Sequence, residues 1–300
     1  MDNNLIVAKE KPVIDEISNK YNYDSNIRHL LYLIIPAFII KYGYSKEKLI
    51  LKTFQEIKII SSNKEHKTVK AYYSSTPKYR ENTYTTTKFM VIQNYMQISL
   101  VDLLDNLVHE FNHALNSVNN EIKETKNYLY LRTGLTYRIY KKENLEFIKK
   151  AKSFMLEEII NTKQTEDIIN IIKSFKLTDK ELETTIYAIN SETKHEYNSN
   201  SYYLESSICK EILNNKTFIK TLENLRLTGE IYDINTWFDN IVGKKDSYKE
   251  LNDSLNEIYN LEIEYTKKKL FKKMTLNKIK AKAKQIIHIV ETFNNNVNYR

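Results

Sequence analysis

The sequence predicts an α+β fold that is mainly helical, with a small sheet beside one polar-faced helix and a helical C-terminal lobe. Three observations predict it. Only four glycines and three prolines interrupt 300 residues, which favours long helices over turn-rich architectures. Two stretches, "HKTVKAYYSS" and "NTYTTTKFMVIQNY", gather β-branched and aromatic residues between polar clusters, as strands do. Further on, apolar positions recur at helical spacing, with breaks only near Asn198, Gly229 and Gly243. The expected division is an N-terminal helical region at 1–60, a core at 61–175 and a helical lobe at 176–300.

The elements follow in order. The first sixty residues read as helices around "LLYLIIPAFII", Leu30 to Ile40. That run is 11 residues long and carries Pro36, too short to cross a bilayer, so a buried helix is expected. The two strand-like stretches come next, and then a helix from about Ser99 to Glu121. After it "NYLYLRTGLTYRIY" alternates around Gly134, with Leu129, Leu131, Thr133, Leu135, Tyr137 and Ile139 on one side, which predicts a strand pair or a bent strand. A long helix is expected from Glu143 to Phe175, and the remainder forms the helical lobe.

Composition bounds the function. With 41% apolar and 12% aromatic residues the chain has ample material for a core. The first twenty residues mix acids with lysines and lack the basic and then apolar order of a secretory leader. Cys209 is the single cysteine, which excludes an intrachain disulfide and a cysteine-rich zinc module, and a cytoplasmic location is the expectation. Export by a route that needs no leader stays open. The net charge is +8, and nine lysines without an acid lie between Lys267 and Lys284. The rest of the chain is nearly neutral, so an acidic membrane or nucleic acid would meet that segment. Leu270, Phe271, Met274, Ile279, Ile286 and Ile287 interleave with or follow these lysines and allow an amphipathic helix.

One motif carries chemistry. In "LVHEFNHALN", Leu107 to Asn116, His109 and His113 sit four apart on a helix, so both imidazoles face one side and can reach a single ion. Glu110 lies about 100° round from His109, where it can take a proton from metal-activated water without being a ligand. Leu100, Leu103, Leu104, Leu107, Phe111, Ala114, Leu115 and Val118 cluster on the opposite face, so the helix packs with its back. A catalytic zinc needs a third protein ligand and an open position. Asn116 and Asn119 stand where a metzincin would carry glycine and histidine, which rules that family out. In "FMLEEIINTKQTEDII", Phe154 to Ile169, helical projection puts Glu158 in a stripe with Phe147, Ala151, Phe154, Met155 and Ile169, where an ionised carboxylate is costly unless it holds a cation. Glu157 points towards Glu146, Lys150, Ser153, Asn161 and Gln164 and is expected to be solvated. Glu158 is therefore the expected third ligand.

With these residues in place, the chain resembles the gluzincin branch of zinc metallopeptidases over about Lys67 to Phe175. "HEFNH" matches that branch's HExxH helix, and "LEEIIN" resembles the later helix that carries its glutamate ligand. The resemblance implies a zincin-like lobe, Zn2+ held by His109, His113 and Glu158, and hydrolysis of a peptide or protein substrate with Glu110 as general base. It also implies an edge strand before the active helix that pairs with extended substrate, here Thr83 to Val91. Where many enzymes of that branch carry aspartate four residues after the ligand glutamate, this chain has Thr162, so Asn161 or Asp105 is expected to support a histidine. Tyr202, Tyr203 and His195 are the candidates for stabilising the transition state. The alternative is a catalytically inactive protein of the same fold that binds an anionic surface through Lys267 to Lys284.

Overall fold

The computed structural model describes residues 3–63, 70–150, 154–191, 202–267 and 272–298. It is mainly helical with two small sheets. Two compact units share the chain: Met1–Leu115 with Thr162–Asn198, and Asn116–Asn161 with Ser199–Arg300. Among the described residues no helix is long and apolar enough to cross a membrane.

The first unit opens with α1 (Asn3–Tyr21), α2 (Ser25–Tyr42) and α3 (Glu47–Glu56). Asp24 caps α2 by accepting from Ile27 N–H at 3.0 Å, which satisfies one of the four amides that a helix start leaves open. The run from Leu30 to Ile39 is buried throughout, as its composition demands. A three-stranded sheet follows, with β1 (Lys58–Ser62), β2 (Ala71–Arg80) and β3 (Thr83–Gln93) in the order β1-β3-β2. This corrects the expectation that Thr83 to Val91 is an edge strand for its last residues, Phe89 to Val91, which lie between two strands. β3 pairs antiparallel with β2 along ten residue pairs from Thr83 to Ile92, and parallel with β1 from Phe89 to Gln93. "KIISS" supplies the unforeseen partner, and so short a β-branched run cannot be told from a helix end by periodicity.

Next comes α4 (Leu100–Leu115), the motif helix. Ser99 starts it by accepting from Asp102 N–H through Oγ at 3.1 Å, and the turn-forming run "NSVNN" ends it earlier than the expected Glu121. Its predicted back is buried: Leu103, Leu104, Leu107, Phe111, Ala114 and Leu115 all lie in the core. Phe111 stacks on Phe54 of α3 with ring centres 3.9 Å apart. The later turns of α5 (Phe154–Lys173) and α6 (Lys180–Ser191) complete this unit.

The second unit holds an antiparallel sheet of β4 (Ile122–Glu124), β5 (Tyr128–Thr133), β6 (Thr136–Lys141) and β7 (Phe147–Lys150), in chain order. The strand pair predicted around Gly134 is the β5–β6 hairpin, with Thr133 opposite Thr136. The expected helix from Glu143 is instead β7 up to Lys150, and α5 begins only at Phe154. Helices then dominate, as predicted: α7 (Tyr203–Ile208), α8 (Lys210–Leu213), α9 (Lys216–Thr228), α10 (Ile234–Val242), α11 (Ser247–Lys267) and α12 (Lys272–Asn298). Helices α9 and α10 end at the expected breaks, Gly229 and Gly243. Phe218, Phe238 and Phe293 meet at the centre, the last two stacked 4.9 Å apart.

Candidate metal site

Helix α4 turns both histidines to one side. Their Nε2 atoms are 3.2 Å apart, and the rings stand at 79° to one another. Two nitrogens bound to one tetrahedral zinc at about 2.0–2.1 Å would lie ~3.3 Å from each other. The spacing therefore suits a chelating pair. Polar side chains of the same helix are enclosed. Asn112 and Asn116 are buried; Asn112 donates to Gln164 Oε1 at 3.0 Å and accepts from the Tyr42 hydroxyl.

Glu110 is buried, and Oε2 accepts the Tyr73 backbone N–H at 2.6 Å. That bond comes from β2, an outer strand of the sheet, and it fixes the orientation of the carboxylate. Asp105 lies half-buried on the same helix. Burial pushes its carboxyl up to about 6, while the His109 imidazole pulls it down.

The third donor comes from α5. The Asn112 to Gln164 bond ties this helix to α4, and α5 runs unbroken from Phe154 to Lys173. Glu158 lies on the same helix, six residues before Gln164. One nitrogen of each histidine and one carboxylate oxygen of Glu158 all lie within 4.8 Å of one another. Among the described residues this is the one group of three or more such donors close enough to hold a metal ion. Two imidazoles and a carboxylate form a donor set that suits zinc.

The placement expected for Glu157 is overturned. It is 1% exposed, and the guanidinium of Arg226 grips it through Nη2 to Oε1 at 2.6 Å and Nε to Oε2 at 3.0 Å. Asn161 and Gln164, expected on the same solvated face, are also buried. The side-chain amide oxygen of Asn161, Oδ1, accepts from Arg226 Nη2 at 2.8 Å, which directs that side chain to the arginine. The projection failed because α5 is enclosed on nearly all sides; Leu156, Ile159 and Ile160 lie in the core while Glu158 is half-buried.

Of the remaining candidates, Tyr203 is 70% exposed, and His195 lies outside the described residues. Tyr202 packs its ring 5.8 Å from that of Tyr259. Sequence reasoning missed Tyr259, a residue of α11 whose hydroxyl is pushed up by burial and then by the charges of Glu158, Glu205 and Glu262. No motif marks it. In the lysine-rich segment, residues 268–271 lie outside the described residues. Lys272, Lys273, Lys278, Lys280 and Lys284 are exposed, whereas Ile279 and Ile286 belong to the core of the second unit.

No family model matches the chain, and neither does any curated protein or solved structure.

Proposed function

We propose that this protein is a zinc-dependent metallopeptidase of the gluzincin kind. The observation that carries the proposal is the convergence of His109, His113 and Glu158 from two helices to within 4.8 Å, with Glu110 adjacent in sequence and held by a backbone amide. The donor chemistry fits a zinc site with three protein ligands. Bound there, zinc would lower the pKa of water towards about 7 and polarise a carbonyl.

The remaining roles fall to side chains of the chain. Glu110 accepts a proton from the attacking water and returns it to the departing amine, a task that needs a carboxylate held in one orientation. The Tyr73 amide supplies that restraint. β2 is an outer strand among those described and reaches the motif helix, so it is the strand along which an extended peptide would lie, recognised through its main chain.

Metal analysis of the purified protein tests the proposal together with two variants. The parent should hold one equivalent of zinc and Glu158→Ala much less. Glu110→Gln should keep the zinc and lose hydrolysis of a quenched fluorescent peptide library. A parent free of zinc after purification and after zinc addition, or full activity in Glu110→Gln, would overturn it. The other function that the sequence allows, binding of an acidic membrane or nucleic acid by an inactive protein of this fold, would show as salt-sensitive retention on anionic vesicles or nucleic acid without zinc. The apolar stripe of α12 is already used in the core through Ile279 and Ile286, while Lys272, Lys273, Lys278, Lys280 and Lys284 are exposed and Lys282 pairs with Glu257 at 2.9 Å.

A further inference from the structure

Two arginines, Arg132 and Arg226, are the largest fully buried side chains among the described residues. A guanidinium has five N–H donors, and burying it is costly unless they are used. Arg132, on β5, spends its donors on backbone carbonyls. Nη1 donates to Asn116 at 2.7 Å, Gly134 at 2.7 Å and Arg226 at 3.0 Å, and Nε donates to Asn119 at 3.2 Å, with Nη2 on the same Asn119 oxygen. Arg226, on α9, spends its donors on Glu157 and Asn161 of α5. Glu157 in turn accepts the Leu135 amide at 2.8 Å.

Two of the four glycines make room for this network. Gly134 has φ +55°, and a Cβ there would stand 2.1 Å from Glu157 Oε1. At Gly229, with φ +75°, a Cβ would meet the Asn119 carbonyl at 2.6 Å and Arg132 Nε at 3.1 Å. Both backbones are left-handed, and both sites lack space for any side chain. The requirement at each is doubled.

The two ends of the network matter most. Asn116, gripped by Arg132, is three residues after His113; Glu157, gripped by Arg226, is the residue before Glu158. We infer that Arg132 and Arg226, joined through the Arg226 carbonyl, are positioning residues that fix the Glu158 turn of α5 against the chain leaving the histidine helix. The bonds described above go to the chain neighbours of the proposed ligands, and the arginines act through those neighbours, as outer partners of metal ligands do. The inference rests on the zinc proposal.

Zinc affinity, measured by competition with a chromophoric chelator, tests it in three steps. The parent comes first: if it binds no zinc, the metal proposal itself fails, whatever the network does. Given binding, Glu157→Gln should weaken zinc affinity 10–100-fold, the range seen for such outer partners, with helical content unchanged by circular dichroism. The same change made in a Glu158→Ala background should then have less than about a twofold effect, because the ligand it positions is gone. An unchanged affinity in folded Glu157→Gln, or an equal loss in both backgrounds, would overturn the inference and leave the network purely structural. Should Glu157→Gln not fold, Arg226→Lys, which keeps the charge but not the two-pronged grip, replaces it with the same expected and overturning results.

Discussion

Glu157 and Glu205 are both buried in the second unit, with exposures of 1% and 0%, yet they meet opposite surroundings. Glu157 receives a two-pronged guanidinium, a backbone amide and a tailored gap at Gly134. Glu205, on α7, faces the carboxyl of Glu262, and neither of its oxygens has a geometrically sound hydrogen-bond partner. Two carboxylates cannot bond to each other unless one carries a proton. Burial therefore lifts Glu205 to about 7, with Glu262 pushing the same way. Glu158, next in sequence to Glu157, is only half-buried and is the proposed metal ligand. Enclosure by itself thus decides little about a buried acid; what the fold brings to it from elsewhere in the chain decides its state.

The largest expected effect separates Glu158 from its neighbour. Glu158→Ala removes a proposed ligand and should bring peptide hydrolysis to background with most of the zinc lost, whereas Glu157→Gln should keep measurable zinc. If both variants lost zinc equally, the two glutamates would not differ in kind. Glu110→Gln comes next, lowering the hydrolysis rate by roughly 10²–10⁴-fold, the usual worth of a positioned base, at unchanged zinc content.

Stability sharpens the contrast further. Arg226→Met strands a buried carboxylate, and breaking such a pair costs about 3–5 kcal/mol. Urea unfolding should show that loss. Adding Glu157→Leu to Arg226→Met should recover much of it, because an apolar pair of similar volume avoids the desolvation of both charges. No recovery would mean that the bonds to Asn161 and Leu135, and not the ion pair, carry the energy.

What the sequence makes legible follows from how local the cause is. The buried back of α4 and the facing of His109 and His113 depend only on helical spacing, and both hold in the structure. The β5–β6 hairpin depends on alternation about Gly134. The buried run of α2 depends on composition alone. Glu157 is different, because its partner Arg226 lies 69 residues away. A helical projection sorts residues by their own polarity and cannot see a guanidinium that arrives from α9, nor the Asn112 amide that buries Gln164. The sheet order was hidden for a similar reason. β1 is five residues long, and its pairing with β3 arises only once the intervening chain has folded back.

The smallest expected effect concerns Glu205, whose burial favours the protonated carboxyl. A glutamate in the unfolded chain titrates near 4.5, while burial raises Glu205 to about 7. The native state thus holds this proton more tightly than the unfolded state. The contribution of Glu205 is therefore most favourable below about pH 4.5, declines as pH rises towards 7, and stays at its least favourable above that. Glu205→Gln removes the titration while keeping the shape, so it should stabilise the protein at pH 8 by on the order of 1–3 kcal/mol and change little at pH 4.5. Urea unfolding at the two pH values reads the difference. An equal gain at both would assign the effect to packing and not to charge. A loss at pH 8 would mean that Glu205 is held in its ionised form by a cation, which would make its environment like that proposed for Glu158.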